Sequence, residues 1–147
     1  MKALVVYDSV YGNTEQVARA IGSGIAGDVR VARFSELDPA GLGPVDLLLI
    51  GSPTFGGRPT EGMQAFLDRI PEAAIKGVRV GTFDTRYEGR FVKMFGFAAE
   101  RIAASLTAKG ASLVAPPAPF IVKGKRGPLK TGELERASSW ARQLLSA

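Results

Sequence analysis

The residues with the clearest chemical character near the start of the chain form a short polar loop between an apolar run and a helical pattern. The apolar run covers residues 3–7, and apolar residues then recur at helical spacing from Thr14 to Ile25. Free backbone N–H groups and the helix dipole favour an anion at such a helix N-terminus. Gly12 lets the backbone approach closely, and hydroxyl and amide side chains add donors. The loop, which we expect to bind a phosphate group, consists of Ser9, Val10, Tyr11, Gly12, Asn13 and Thr14.

Two familiar nucleotide-binding motifs do not describe this loop. A P-loop requires lysine after its second glycine, whereas Gly12 is followed by Asn13 and Thr14. Residues 22–27 match the spacing of dinucleotide-binding glycines, but they lie at the end of the predicted helix instead of before its start. We therefore interpret them as turn glycines. Since the loop has no lysine or arginine, the pattern predicts a phosphate held by backbone and hydroxyl groups alone.

Two further segments have the composition of functional loops. Residues 51–59 contain three glycines and two prolines, with Phe55 near the centre. A loop tip seldom carries phenylalanine without a reason, although folding back onto the core is the alternative for Phe55. Residues 84–91 form a third predicted loop, and here the alternative for Tyr87 is an ordinary surface aromatic.

The elements that position these loops alternate between strand and helix along the whole chain. Strands are predicted at residues 3–7, 29–34, 45–50, 77–83 and 111–123, and prolines interrupt the last of them, as is typical of an edge. This alternation predicts an α/β fold with a doubly wound, five-stranded parallel sheet and helices on both faces. Ligands of such sheets bind beyond the carboxyl ends of the strands, so the three loops should converge on one rim.

Composition narrows the chemistry that the chain can perform. Its 147 residues predict a single domain, residues 1–147, and they include no histidine and no cysteine. The commonest general base and the thiolate metal ligands are therefore absent. We expect the chemistry to come from a bound cofactor or from carboxylates, and we expect no metal site. No apolar run is long enough to span a membrane and no signal-peptide pattern is present, so we expect a cytoplasmic protein.

Charge is distributed unevenly along the chain. The net charge is +5, and residues 86–130 carry nine basic and two acidic side chains. Such an excess favours an acidic partner protein or an anionic membrane surface with a quinone acceptor; a solvated face is the alternative. Nucleic acid is not expected, because the segment has no evident reading helix and no ladder of aromatic residues. The basic residues predicted to form the docking surface are Arg86, Arg90, Lys93, Lys123, Lys125, Arg126 and Lys130.

Over its whole length the chain resembles a short flavodoxin. Residues 9–14 are similar to the phosphate loop that binds FMN in that family, residues 51–57 to the first flavin-flanking loop, and Asp84 with Tyr87 to the second. The resemblance implies the strand order 2-1-3-4-5 and FMN as cofactor. It also implies that an aromatic residue and Tyr87 pack on the isoalloxazine, while a glycine peptide faces its N5 atom. The cofactor-binding residues implied are Ser9, Val10, Tyr11, Gly12, Asn13, Thr14, Pro53, Thr54, Phe55, Gly56, Gly57, Asp84, Thr85, Arg86 and Tyr87.

The function implied by this resemblance is that of a low-molecular-weight electron carrier. An FMN-dependent quinone reductase, or a quinone-dependent protoporphyrinogen oxidase, is the alternative on the same fold. A signalling receiver domain shares the topology, but its phospho-accepting aspartate is replaced here by Gly51 and Ser52. A flavin-free interaction module is the remaining alternative. The chain departs from the family in its basic stretch, where flavodoxins are typically acidic, and Arg58 stands where the family often has an acid.

Overall fold

The structure, a computed structural model, describes residues 1–88 and 96–145. The strands are β1 (Lys2–Tyr7), β2 (Asp28–Arg33), β3 (Leu47–Pro53), β4 (Arg79–Tyr87), β5 (Ser112–Leu113) and β6 (Ala118–Val122). The helices are α1 (Asn13–Ser23), α2 (Glu61–Arg69), α3 (Glu72–Ile75), α4 (Ala98–Ala108) and α5 (Glu133–Leu145). A 3-10 turn, Phe34–Glu36, follows β2. None of the helices in these ranges is long and apolar enough to cross a membrane.

The described strands form one parallel sheet in the order β2-β1-β3-β4, with both β5 and β6 paired to the outer side of β4. The predicted doubly wound architecture and the order 2-1-3-4-5 are confirmed. The predicted number of five strands needs one correction, because the fifth strand is divided in two. Pro116 and Pro117 lie between its halves, and proline cannot donate a ladder hydrogen bond there.

Alternating side chains bury both faces of the central strands. Ala3, Val5 and Tyr7 of β1 belong to a core with α1 and α5. Leu4 and Val6 belong to a second core, with α2 and α4. These five residues are at most 5% exposed, which explains why β1 reads as a continuous apolar run.

The two strands that carry the second and third loops extend further than the sequence predicts. β3 continues to Pro53, and β4 continues through residues 84–87, which the sequence places in a loop. That predicted boundary is wrong because β4 has a partner on each side. Ser52 of β3 is in register with Asp84, and β6 pairs with β4 as far as Tyr87. The rim above the sheet therefore stands partly on regular strand.

Candidate cofactor site

A cleft opens at the carboxyl ends of the strands, where the three loops singled out from the sequence meet. The residues that line it are Ser9, Val10, Tyr11, Asn13, Thr14, Pro53, Thr54, Phe55, Thr85, Arg86, Tyr87, Val122 and Lys125.

The first wall of the cleft is the N-terminus of α1. Gly12 precedes the helix with a φ of 93°, a left-handed conformation that glycine adopts without strain. Within the described residues, the backbone N–H groups of Val10, Tyr11, Asn13 and Thr14 have no hydrogen-bond acceptor. Free N–H groups together with the helix dipole make this wall suitable for a phosphate dianion.

The polar side chains of this loop are held in place by neighbouring groups. The Ser9 hydroxyl oxygen accepts hydrogen bonds from the N–H groups of Gly12 (3.1 Å) and Glu15 (3.3 Å), which leaves its own proton free to be donated. Thr14 is buried, and its hydroxyl lies 2.8 Å from that of Thr85 on β4. The side-chain amide of Asn13 donates a hydrogen bond to the backbone carbonyl of Arg126 at 3.2 Å.

An ion pair beneath the loop was not recognised from the sequence. One carboxylate oxygen of Asp8 accepts from the Ser9 N–H (2.8 Å) and from the Arg33 guanidinium (3.0 Å). The other accepts from the hydroxyl of Thr60, which also caps α2 as the sequence pattern predicts. Arg33 donates in addition to the Ser9 carbonyl at 2.9 Å. These charge-assisted bonds fix the loop to β2 and α2, and no spacing in the sequence indicates them.

The second wall is a tight turn that presents Phe55. Phe55 and Arg58 exchange two backbone hydrogen bonds, of 2.8 and 3.0 Å. Between them Gly56 and Gly57 have φ values of 57° and 78°, and a two-residue turn with both φ angles positive requires such residues. Phe55 is 37% exposed and lines the cleft, so the alternative that it folds back onto the core is wrong.

The apolar side chains around the cleft are unusually exposed. Tyr87 at the end of β4 is 38% exposed, and Val10 and Tyr11 are exposed on the first wall. Together with Phe55, these residues make up more than half of the large hydrophobic side chains that are exposed in the described ranges. Clustered apolar exposure marks a binding surface. Its aromatic composition suits a flat ring system.

The third wall of the cleft is the end of β4, which carries Thr85 and Tyr87. Behind it, Arg86 and Asp84 form a largely buried network. The Arg86 guanidinium makes two hydrogen bonds to the Asp84 carboxylate, at 2.9 and 2.7 Å, and two longer ones to the Glu100 carboxylate, at 3.1 and 3.2 Å. It also lies 3.5 Å from the centroid of the Phe97 ring. Burial lowers the pKa of Arg86, but the hydrogen bonds to the two carboxylates outweigh burial and raise it. Asp84 is fully buried and also accepts from the Ala99 N–H, so this network fastens β4 to the start of α4.

Most of the predicted cofactor-binding residues therefore meet in one place. The four that do not line the cleft are Gly12, Gly56 and Gly57, which shape its turns, and Asp84, which supports it from behind. Val122 and Lys125 line the cleft but were not predicted as cofactor-binding residues. They lie at and just beyond the carboxyl end of β6, so the topological rule that located the other loops applies to them as well.

An α/β sheet with a phosphate-type helix terminus and an exposed aromatic cleft defines a nucleotide-cofactor-binding protein of the doubly wound class. The family model described as Flavodoxin matches residues 5–140. The chain belongs to the flavodoxin family. It binds FMN and acts as an electron carrier, and the quinone-linked enzymes considered as alternatives are not favoured.

Solved structures share this fold. A flavodoxin from the domain Archaea is 25% identical with a TM-score of 0.82, and the match covers 99% of this chain and 97% of that one. Oxidised flavodoxin 2 from Bacillus cereus is 22% identical with a TM-score of 0.81, covering 99% of each chain. The same fold forms 36% of the rubredoxin oxygen:oxidoreductase of Desulfovibrio gigas, which is 20% identical with a TM-score of 0.74 over 99% of this chain.

Proposed function

We propose that this electron carrier holds the FMN phosphate in residues 9–14 and its isoalloxazine ring against Phe55 and Tyr87. The observation that supports the phosphate position is the set of backbone N–H groups without acceptors at the start of α1. The exposed aromatic side chains of the other two walls support the ring position. FMN supplies the electron-accepting and electron-donating ring, while these residues bind it, orient it and limit the access of water.

The phosphate assignment is tested by comparing FMN with riboflavin, which lacks the phosphate. In the Thr14→Val variant, FMN affinity should fall about 10- to 100-fold, as expected for loss of a charge-assisted hydrogen bond, while riboflavin affinity stays unchanged. Quenching of flavin fluorescence measures both constants. Thr107→Val is the control, because among the described residues the Thr107 hydroxyl bonds within α4, to Ala103 and Ala104. Equal affinity of the unmodified protein for riboflavin and FMN would contradict the assignment.

We further propose that an acidic redox protein docks on the basic side chains beside the cleft. Lys123, Lys125 and Arg126 are exposed and make no ion pair with any described residue. We call these three residues the basic rim. They follow β6, and Lys125 among them lines the cleft.

The other basic residues predicted for docking contribute less or lie elsewhere. Lys130 is paired with Glu88 at 3.0 Å, and Arg86 is largely buried between its two carboxylate partners. Arg90 and Lys93 lie outside the described residues. The proposed docking surface is therefore the basic rim alone. The cytoplasmic location that the sequence indicates stays a prediction.

A further inference from the structure

We propose that Lys125 binds the phosphate of FMN directly, so that the loop after β6 is a fourth, cationic wall of the site. The inference rests on the proposed function, since it takes residues 9–14 as the phosphate-binding loop. Lys125 lines the same cleft as Ser9 and Thr14. The phosphate loop contains no cation of its own, so a lysine in this position changes the chemistry of the site.

The loop that carries Lys125 is attached directly to the phosphate loop. The Asn13 side-chain amide donates to the carbonyl of Arg126 at 3.2 Å. The Arg126 guanidinium lies 5.9 Å from the centroid of the Tyr11 ring, within the range of a cation–π contact. Because Arg126 touches the phosphate loop at both its backbone and its side chain, its neighbour Lys125 is held beside the N-terminus of α1.

Gly127 shows that this close approach is built into the backbone. Its φ is 102°, and a Cβ atom added there would lie 2.6 Å from the Oδ1 atom of Asn13. The loop is also closed on itself by two backbone hydrogen bonds. The Lys123 backbone N–H donates to the Pro128 carbonyl at 2.9 Å, and the Lys130 backbone N–H donates to the Ile121 carbonyl at 2.8 Å. The position of Lys125 is thus set by main-chain contacts on both sides, although its side chain remains exposed.

Charge provides the reason for a lysine at this point. Lys125 has no carboxylate partner among the described residues, and a phosphate dianion at the helix terminus would provide a counter-ion within the cleft. An ammonium on a flexible four-carbon stem acts as a point charge and does not require the fixed geometry of a guanidinium. It strengthens binding of FMN relative to riboflavin without adding a contact to the ring.

The test compares Lys125→Gln with Lys123→Gln. Lys123 belongs to the same loop and is exposed, but it does not line the cleft. Apoprotein is titrated with FMN and with riboflavin at low and high salt.

Lys125→Gln should weaken FMN binding about 5- to 20-fold at low salt, an effect intermediate between a charge-assisted bond and an exposed ion pair. The loss should shrink at high salt, because exposed charges are screened. Riboflavin binding should not change, and Lys123→Gln should match the unmodified protein for both ligands.

The outcomes separate this inference from the proposal on which it rests. If the unmodified protein prefers FMN to riboflavin while Lys125→Gln binds both normally, the role of Lys125 is overturned and the phosphate loop stands. If the unmodified protein shows no preference, the phosphate loop fails and the inference fails with it. An equal loss of FMN and riboflavin affinity in Lys125→Gln would place the lysine at the ring and overturn a phosphate contact. Lys125→Arg, which keeps the charge, should retain most of the FMN affinity.

Discussion

At the scale of the residue, the polar and the aromatic side chains of the site lie on different walls and differ in exposure. The side chains of Ser9, Asn13 and Thr14 are buried and already engaged with neighbouring groups, so they are fixed before a ligand arrives. Phe55 and Tyr87 are instead exposed at the rim. A ligand with a charged end and a flat apolar end gains from both arrangements, since preorganised groups lose little freedom when they bind.

This division predicts that the aromatic residues and the phosphate loop affect different parts of the cofactor. Replacing Phe55 or Tyr87 with leucine removes stacking worth about 0.5–1.5 kcal/mol beyond area burial, equivalent to an affinity loss of about 2- to 13-fold. FMN and riboflavin should lose affinity equally, because both carry the ring. Fluorescence titration of each variant with each flavin measures this. Tyr87→Phe keeps the ring and serves as the control; a loss confined to FMN would show that these side chains do not contact the isoalloxazine.

Single residues also mark the limit of what the sequence can predict. The phosphate loop can be predicted because its residues are adjacent in the chain. Phe55 can be predicted as a site residue because a loop tip rarely carries such a side chain. Asp8 pairs with Arg33 and Thr60, which are far away in the sequence, and no local sequence pattern predicts these contacts. The same is true of the contact between Asn13 and Arg126, through which a basic loop becomes part of the site.

At the scale of the element, α5 is joined to β6 by one buried carboxylate. Glu133, which begins α5 and is 7% exposed, accepts hydrogen bonds from the Ile121 N–H and from Arg136, each at 2.7 Å. Arg136 in turn donates to the Pro119 carbonyl and lies 4.4 Å from the centroid of the Phe120 ring. β6 carries the loop that contains Lys125, so Glu133 supports that loop from below.

This carboxylate should make the stability of the fold depend on pH. The hydrogen bond from Arg136 lowers the pKa of Glu133; burial opposes this, and the Ile121 N–H lowers the pKa further. Because the pKa of Glu133 is lower in the folded than in the unfolded chain, its ionised carboxylate stabilises the fold at pH values above the ordinary glutamate pKa of about 4.3. This stabilisation is lost as the pH falls through the pKa of the folded state. Glu133→Gln should therefore reduce the unfolding free energy by roughly 1–3 kcal/mol at pH 7, and by progressively less in acid.

Urea unfolding of both proteins between pH 7 and pH 3 measures this effect. The control is Glu135→Gln, an exposed carboxylate on the same helix. A difference between Glu133→Gln and the unmodified protein that stayed constant down to pH 3 would contradict the ionic role of Glu133.

The elements themselves follow closely from the sequence, except where strands end. Apolar periodicity locates β1, β3 and α1 because each of them is buried in a regular way. The end of β4 is misplaced because polar residues 84–87 are kept in the sheet by pairing with β3 and β6, and that support comes from distant parts of the chain. The prolines indicate that the fifth strand is interrupted. The lengths of its two halves depend on which residues of β4 each half pairs with.

At the scale of the whole molecule, the cleft opens beside the basic rim, whose side chains make no ion pair with any described residue. Electrostatic steering raises the encounter rate of oppositely charged partners and falls steeply with ionic strength. Since the basic rim follows the carboxyl end of β6 and its Lys125 lines the cleft, the field should favour anions near the cleft.

Small inorganic oxidants of opposite charge test this field without knowledge of the partner. Reduced, FMN-loaded protein should be oxidised by hexacyanoferrate(III) in a reaction that slows with salt. The double variant Lys123→Glu with Arg126→Glu should react more slowly with this anion and faster with hexaamminecobalt(III), because the sign of the rim is reversed. The control reverses two exposed charges at the opposite end of the sheet, Lys2→Glu with Lys76→Glu. Electrostatic steering would be ruled out if the oxidation rates did not change with salt and were the same in the unmodified protein and both double variants. Co-flotation of the protein with anionic lipid vesicles would favour a membrane partner instead.

The chain contains one tryptophan, Trp140, whose ring lies edge-on to Phe83 and Phe120 with centroid distances of 6.3 Å in each case. Phe83 lies on β4 immediately before the stretch that supports the cleft, and Phe120 lies on β6 two residues before Val122 in the cleft wall. The indole is therefore an intrinsic optical label on the two strands beneath the binding site. Its ultraviolet emission should be quenched by energy transfer when FMN is present and should shift to the red when this face of the core opens, so one spectrum can follow both events without an attached dye.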